Sequence, residues 1–385
     1  MPKKKILNDK PVNVLIAAEY RAPRSGNFIA SLLDLAETLR DQGGKVVFLF
    51  PTQEDRPWAA WLREHSFPVH FLQDQLSKKE KLSEVKKLVN EYGINLIHIH
   101  FGYLEGLLLP THDTLGVELI IHDHFDFVTT LGQARQRLTT MRRAILYRRY
   151  HAYCVCVMEK KNRWYWPMGK NRHWFIINGL SSRRAEQDSL SIEERREEIG
   201  LKPGEKMVLF LGWDMLRKGL DIAIKAVEEY RKTDPSLKLG VIGVGNDGRP
   251  SERAEAFLRS KGIDPFTEAV IYMHSYEDIF ALNRAVDCYI SSSRAEAFAY
   301  GILEAISQNT PVVVSDITGT KWCWEYTNCF RYAVEDPVDC SRAIKKAIAC
   351  GRTPSNASQF LTKYGNDVWC EKVIAAYHHA VLEIC

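Results

Sequence analysis

Apolar positions along the chain fall in short runs rich in Val, Ile, Leu and Phe, separated by longer stretches in which apolar residues recur every three or four positions. In the first half the runs occupy 13–19, 45–50, 69–72, 95–100, 118–124, 152–158 and 173–179. Stretches such as "FIASLLDLAETLRDQGG" and "SKKEKLSEVKKLVNEYG" lie between them with a helical period and end on glycine, which closes helices because it tolerates a left-handed backbone. Short β-branched runs alternating with helical stretches predict parallel α/β units. After residue 180 the texture changes: "SSRRAEQDSLSIEERREEIGLKPGEK" is polar and charged and predicts a linker plus a solvated helix. A second series of runs follows at 206–213, 236–243, 269–274, 287–293, 311–316 and 330–334. The expected organisation is an N-terminal domain over 1–180, a linker and first helix over 181–205, and a C-terminal domain over 206–365. A last helix, 366–385, could pack on either domain. Ligands of such doubly wound domains bind beyond the carboxyl ends of the strands.

Totals change this picture little. A chain of 385 residues exceeds what one core usually supports, so two domains fit. Net charge is only +4, so any anion-binding surface must come from local clustering. No run of eighteen apolar residues exists to cross a bilayer. The apolar run after "MPKKK" is short and reads as the first strand, not as a signal peptide. Nine cysteines are scattered without a CxxC pair, which fits a reduced, cytoplasmic compartment.

Candidate chemistry concentrates in "SSSRAEAFAYGILEAI". Glu296 is expected at a strand-to-helix turn and Glu304 about two helical turns later. Eight helical residues rise roughly 12 Å, whereas hydrolytic carboxyl pairs sit roughly 5–9.5 Å apart across one bond. Two clamps on an extended ligand therefore fit better than an acid/base pair. The amides between the two glutamates, at a helix N-terminus, suit anionic oxygens or sugar hydroxyls. In "FLGWDMLRKGLDIAIKAV" a loop after a strand carries Arg217 and Lys218 just before a helix, a natural place for a diphosphate. "GVIGVGNDGR" adds a glycine-rich turn that includes Gly245, but no GxGxxG opens a helix there.

In combination these motifs resemble the C-terminal domain of retaining glycosyltransferases of family four, which have the GT-B fold. "SSSRAEAFAYGILEAISQNTPVVVSDITG" carries most of the likeness. The resemblance implies an α/β protein of two doubly wound Rossmann-like domains facing each other across a cleft. It also implies that Glu304 binds the ribose of a nucleotide-sugar, that Lys218 and Arg217 neutralise its diphosphate, and that Glu296 faces the donor sugar. It further implies that the backbone amides of Phe298, Ala299, Tyr300 and Gly301 hold sugar hydroxyls and the leaving phosphate, and further donor contacts are expected from Gly245 and from Ser25-Gly26 in "RAPRSGNF". A histidine after an N-domain strand, here His122, is implied to reach the donor sugar and the reacting centre. The chain departs from the family pattern at Ala297 and Ala299, where glycines are usual, and at Trp213, where an arginine is common.

"HIH" (98–100) and "HDH" (122–124) also raise a metal, since strand alternation aims both histidines of a pair the same way. No cysteine completes a tetrad, although Asp123 and Asp126 are near, and no metal or other cofactor is expected. His98 and His100 are read as core or outer-shell hydrogen-bonding groups. Finally, "RQRLTTMRRAILYRRYH" and "EKKNRWYWPMGKNRHW" form a basic, aromatic-rich zone. Its Arg142, Arg143, Arg148 and Arg149 suit an anionic membrane surface or an acceptor; no nucleic-acid motif accompanies them.

The reading that results is a retaining, metal-independent hexosyltransferase of the cytoplasm, peripheral on the membrane. It would move a sugar from a UDP-linked donor to a glycan, a lipid-linked molecule or another acceptor, in polysaccharide or glycoconjugate synthesis. Two alternatives stay open: a degenerate GT-B subunit that binds a partner or sugar nucleotide without catalysis, and a nucleotide-sugar epimerase.

Overall fold

The computed structural model describes residues 11–22, 24–51, 56–124, 133–184, 190–246, 248–274, 276 and 278–382. Asp126, the 185–189 part of the linker and the last three residues of the chain lie outside the described residues. The chain forms two compact units, one of residues 11–124, 133–177 and 369–382, the other of residues 178–368.

The first unit contains β1 (Asn13–Ala18), β2 (Lys45–Pro51), β3 (Val69–Leu72), β4 (Leu96–His100), β5 (Glu118–Asp123), β6 (Tyr153–Cys156) and β7 (His173–Phe175). These strands make one parallel sheet in the order β3-β2-β1-β4-β5-β6-β7. The helices between them are set locally. Ser77 and Glu80 form a reciprocal capping box on the helix Lys78–Tyr92, and Gly93 closes it at φ 62. The last helix, Asn366–Leu382, places Trp369, Val373, Tyr377 and Ala380 in this unit's core beside Val155 and Ile176.

The second unit contains β8 (Lys206–Leu211), β9 (Leu237–Ile242), β10 (Gly245–Asn246), β11 (Arg249–Pro250), β12 (Val270–Met273), β13 (Cys288–Ser291), β14 (Val312–Ser315) and β15 (Cys329–Tyr332). Six of them form a parallel sheet in the order β12-β9-β8-β13-β14-β15, while β10 and β11 pair as a small antiparallel ribbon. Each large sheet thus winds outward in both directions from its first strand. The order reverses between β1 and β4, and between β8 and β13, the positions where such sheets open a crevice for ligands.

Most strand-forming runs fold as read, because parallel strands buried on both faces are nearly continuous in apolar residues. Three local expectations change. The glycine-rich passage after β9 becomes the ribbon. Arg217 and Lys218 lie on a one-turn helix, Met215–Lys218, capped by Asp214, instead of on a loop. The helix carrying Glu304 starts at Tyr300, so Glu296 lies outside it and Glu304 is only about one turn in, not two. Tertiary packing holds 296–299 out of the helix: a Cβ on Gly319 would meet the Glu296 carbonyl oxygen at 1.8 Å, and the Phe298 ring stacks on Trp322 at 4.5 Å.

Candidate active site

The site in the second unit is built where β8 and β13 end side by side. Beyond β8 the chain turns at Gly212, and the Asp214 carboxylate caps the following turn by accepting from the Arg217 amide at 3.2 Å and from Arg217 Nε at 3.1 Å. Gly219 then joins this turn to the helix Leu220–Arg231. Its φ is +71, and a Cβ there would meet the Ser292 carbonyl oxygen at 2.0 Å, so a side chain is excluded twice over. Ser292 Oγ, from the end of β13, donates within reach of both the Lys218 and Gly219 carbonyls, at 3.0 and 2.9 Å.

This close approach brings Lys218 and Arg217 onto Glu296. Lys218 Nζ donates to Glu296 Oε1, Arg217 Nη1 lies 3.4 Å from Oε2, and Ser293 Oγ donates to Oε1 at 2.7 Å. Glu296 is 4% exposed. Burial alone would raise its pKa; the Lys218 and Arg217 charges, with the hydrogen bonds from Lys218 and Ser293, outweigh that and hold it below the ordinary carboxylate range. Counting Asp214, two cations face two carboxylates. An ammonium has three donors and Lys218 gives one to Glu296, so a ligand can still be gripped there.

Glu304 is buried on the helix Tyr300–Ser307, whose first residues follow Ala299 with no side-chain cap. A Cβ on Gly301 would meet the Tyr289 hydroxyl at 2.3 Å, so that helix start rests directly on the phenol. Burial, then the nearby Glu296 and Glu304 charges, push the Tyr289 pKa up, which keeps it a neutral hydroxyl between the two acids. Phe298 and Ala299 are buried, and Tyr300 and Gly301 are half-buried at the helix start. Gly245, with Gly243, Asn246 and Arg249, lines a cavity of about 500 Å³.

The structure therefore brings together Glu296, Lys218 and Arg217, and sets the amides of 298–301 and Glu304 on the next helix. Ser25, Gly26 and His122 belong to the first unit. Gly26 opens the helix Gly26–Asp41 with a left-handed φ of +53. His122 is 1% exposed on β5, with Nδ1 3.2 Å from His98 Nε2. His98 and His100 are buried and hydrogen-bonded, to Tyr377 and His124 respectively. Of the basic residues, Arg142, Arg148 and Arg149 are exposed. Arg143 instead turns inward, 3.1 Å from Glu105 and 3.9 Å from Asp123.

Sequence reasoning passed over the brace around this site. Arg294 makes two bonds of 2.9 Å to Asp221 and others to Glu335, and its amide donates to the Arg217 carbonyl at 2.7 Å. It locks the Lys218 turn to the Glu296 loop. Asp221 and Glu335 are far from Arg294 in sequence, so no spacing signals the pairing. Ser293, three residues before Glu296, was open to a local reading, since serine often bonds a neighbour at that distance.

Two family descriptions match the chain: Glyco_transf_4, "Glycosyltransferase Family 4", over residues 30–159, and Glycos_transf_1, "Glycosyl transferases group 1", over residues 191–363. The D-inositol 3-phosphate glycosyltransferase of Nocardia farcinica is 31% identical over 127 residues, 32% of this chain and 28% of its own length. The lipopolysaccharide core biosynthesis mannosyltransferase LpsB of Rhizobium meliloti is 24% identical over 143 residues, 37% of this chain and 40% of that protein. The chain thus spans well under half the length of these relatives. Among solved structures, Anabaena Alr3699/HepE in complex with UDP and glucose superposes with a TM-score of 0.74 at 16% identity, covering 94% of this chain and 98% of that one. Two doubly wound parallel sheets with this likeness define a GT-B protein. The chain belongs to the family-four glycosyltransferases.

Proposed function

We propose that the protein is a retaining glycosyltransferase that takes a sugar from a UDP-linked donor and passes it to an acceptor hydroxyl without a metal ion at the donor site. The observation that carries this reading is the Lys218–Arg217–Glu296 cluster set beside an uncapped helix start that bears Glu304. Breaking the anomeric C–O bond leaves negative charge on the diphosphate. Lys218 and Arg217, with the amides of 298–301, would receive that charge. Glu304 would accept from ribose hydroxyls, and Glu296 would orient the sugar. His122 is proposed to serve the reacting centre as a neutral hydrogen-bonding imidazole, since burial and its neighbours His124 and His98 hold its pKa well below the usual value. The UDP and UDP-glucose bound in the HepE structures support a UDP-linked donor.

The acceptor side is proposed to lie at an anionic membrane. Arg142, Ile145, Leu146 and Arg149 are exposed on the helix Gln133–Arg149, and Trp166, on the adjoining turn Arg163–Met168, is 63% exposed. Arg148 ties the two elements through the Pro167 carbonyl at 3.2 Å. Exposed apolar side chains among arginines match an interfacial binding surface. The contact is proposed to be peripheral, on the cytoplasmic face; no helix among the described residues is long and apolar enough to cross a membrane.

Thermal stabilisation by UDP, GDP, ADP and their glucose conjugates, with and without EDTA, tests the donor site. An EDTA-insensitive shift with uridine nucleotides is expected. No shift with any nucleotide would overturn the reading. The anomeric configuration of the product, read by NMR, separates retention from inversion.

A further inference from the structure

His98 and His100 on β4 and His122 on β5 lie on one face, because residues two apart on a strand share a face and the register sets His100 beside His122; His124 follows just beyond the end of β5. The inner face of a parallel sheet is ordinarily apolar. Here it is a stack of imidazoles, with ring centroids 4.9 Å apart for His100 and His122, 5.2 Å for His98 and His122, and 4.1 Å for His122 and His124.

Their hydrogen bonds do not close. His98 Nδ1 lies 2.6 Å from the Tyr377 hydroxyl, and His100 Nδ1 lies 2.8 Å from His124 Nε2. The Nε2 atoms of His100 and His122 are buried with no partner among the described residues. Each such orphan costs roughly 1–3 kcal/mol, and here two sit on facing rings. Burial first, and the neighbouring histidines second, keep His100 and His122 deprotonated, and burial pushes His98 down to about 3. A neutral imidazole is the form that ligates metals.

We propose that His98, His100 and His122 form a binding site for one divalent transition-metal ion of the zinc class. One nitrogen from each ring lies within 4.8 Å of the others. Zinc–nitrogen bonds of about 2.0–2.1 Å in a tetrahedron place ligands about 3.4 Å apart, so modest ring rotations close the set. The outer bonds are in place. In the tautomers that ligation requires, His98 Nδ1–H donates to Tyr377 and His100 Nδ1–H to His124, which leaves lone pairs on both Nε2 atoms, the arrangement that outer partners impose on ligating histidines. Binding replaces the long His98–His122 contact of 3.2 Å and releases no proton at neutral pH, because the rings are already neutral.

An all-nitrogen set selects zinc, cobalt, nickel or copper over magnesium and calcium. Asp123 supplies no oxygen: it faces the other side of β5, 2.8 Å from Lys161 Nζ and 2.6 Å from the Tyr165 hydroxyl. A fourth position remains for water, since His124 is taken up as the outer partner of His100. HIH and HDH each read as an incomplete pair in sequence; strand register makes them one site. A metal on His122 Nε2 would exclude a hydrogen bond from that atom to substrate. That consequence rests on the transfer reading, whereas the binding does not.

The test uses the untagged full chain, stripped with a chelator. One equivalent of Co²⁺ is expected to develop the visible absorption of a four-coordinate site, Zn²⁺ to bleach it, and Mg²⁺ to leave it unchanged. His100→Gln should weaken Co²⁺ binding by at least about 100-fold, beyond the loss typical of an outer-shell partner. Crystals of the wild-type chain grown with Zn²⁺ should show an anomalous peak among the three rings, a readout independent of how the variant folds. No uptake by the wild-type chain, unchanged affinity in His100→Gln, or a peak only at surface histidines would overturn the site.

Discussion

Replacing Glu296 by glutamine should tighten binding of the leaving nucleotide while slowing sugar transfer. Glu296 holds Lys218 Nζ and lies 3.4 Å from Arg217, the two cations proposed to grip the diphosphate. A phosphate on those cations comes within about 6 Å of the carboxylate, where each unit of charge repels by roughly 3 kcal/mol at an effective dielectric of about 20. The Glu296 side chain is 5% exposed but that of Lys218 is 20%, so solvent screens part of this and about 1–2 kcal/mol remains. Glutamine keeps the shape of the side chain, and the released Lys218 can turn toward ligand or water. The expected result is a UDP dissociation constant about 5–30-fold lower. Lys218→Met has the opposite sign. It leaves a buried carboxylate with Arg217 alone, where breaking a buried pair costs about 3–5 kcal/mol and the remaining cation reduces that. UDP should then weaken about 10–100-fold, with uridine changed less than about 2-fold, because uridine carries no phosphate. Titration calorimetry with UDP and uridine on both variants reads all four values. Weaker UDP binding in Glu296→Gln, or equal losses of uridine and UDP in Lys218→Met, would refute the placement of the diphosphate.

Three further outcomes are expected. Gly219→Ala combines a left-handed backbone with a Cβ 2.0 Å from the Ser292 carbonyl oxygen, so it should cost at least about 3 kcal/mol and lower the melting temperature by about 5–10 °C; an unchanged melt would contradict the close approach of β8 and β13. In metal-free protein the buried histidines make the fold acid-sensitive. Their folded pKa values lie below the unfolded value of about 6.5, so their stability is complete above that pH and is lost as pH falls from there toward about 3, the folded value of His98. The loss is read as a lower urea midpoint at pH 5.5 than at pH 7.5, and equal midpoints would argue that the rings are not buried neutral. Exchanging Arg142 and Arg149 for alanine should weaken binding to anionic vesicles about 30-fold at low salt, and sedimentation with neutral vesicles should show no such change.

Much of this molecule was legible along the chain. The two series of strands follow from apolar runs, because a parallel strand buried on both faces needs an apolar residue at almost every position. Lys218 and Glu296 stood out as charges in the turns that follow such runs, and Glu304 as an acid within an otherwise apolar helical stretch. The basic helix was legible as composition, but not the fate of each arginine: Arg143 differs from Arg142 only in the face it presents, and Glu105, 38 residues away, meets it.

What sequence determined by itself was therefore local: periodicity, helix caps such as Ser77 with Glu80, and the identity of the chemical groups. Tertiary structure alone decided which groups meet. Packing of Gly319 against the Glu296 carbonyl and of Trp322 on Phe298 delays the helix to Tyr300, against the helical composition of 297–299. Parallel register across β4 and β5 places His100 beside His122, and the far end of the chain brings Tyr377 to His98 across 279 residues. Pairing energies of this kind depend on distance in space and on exclusion of water, and neither is encoded in spacing along a strand.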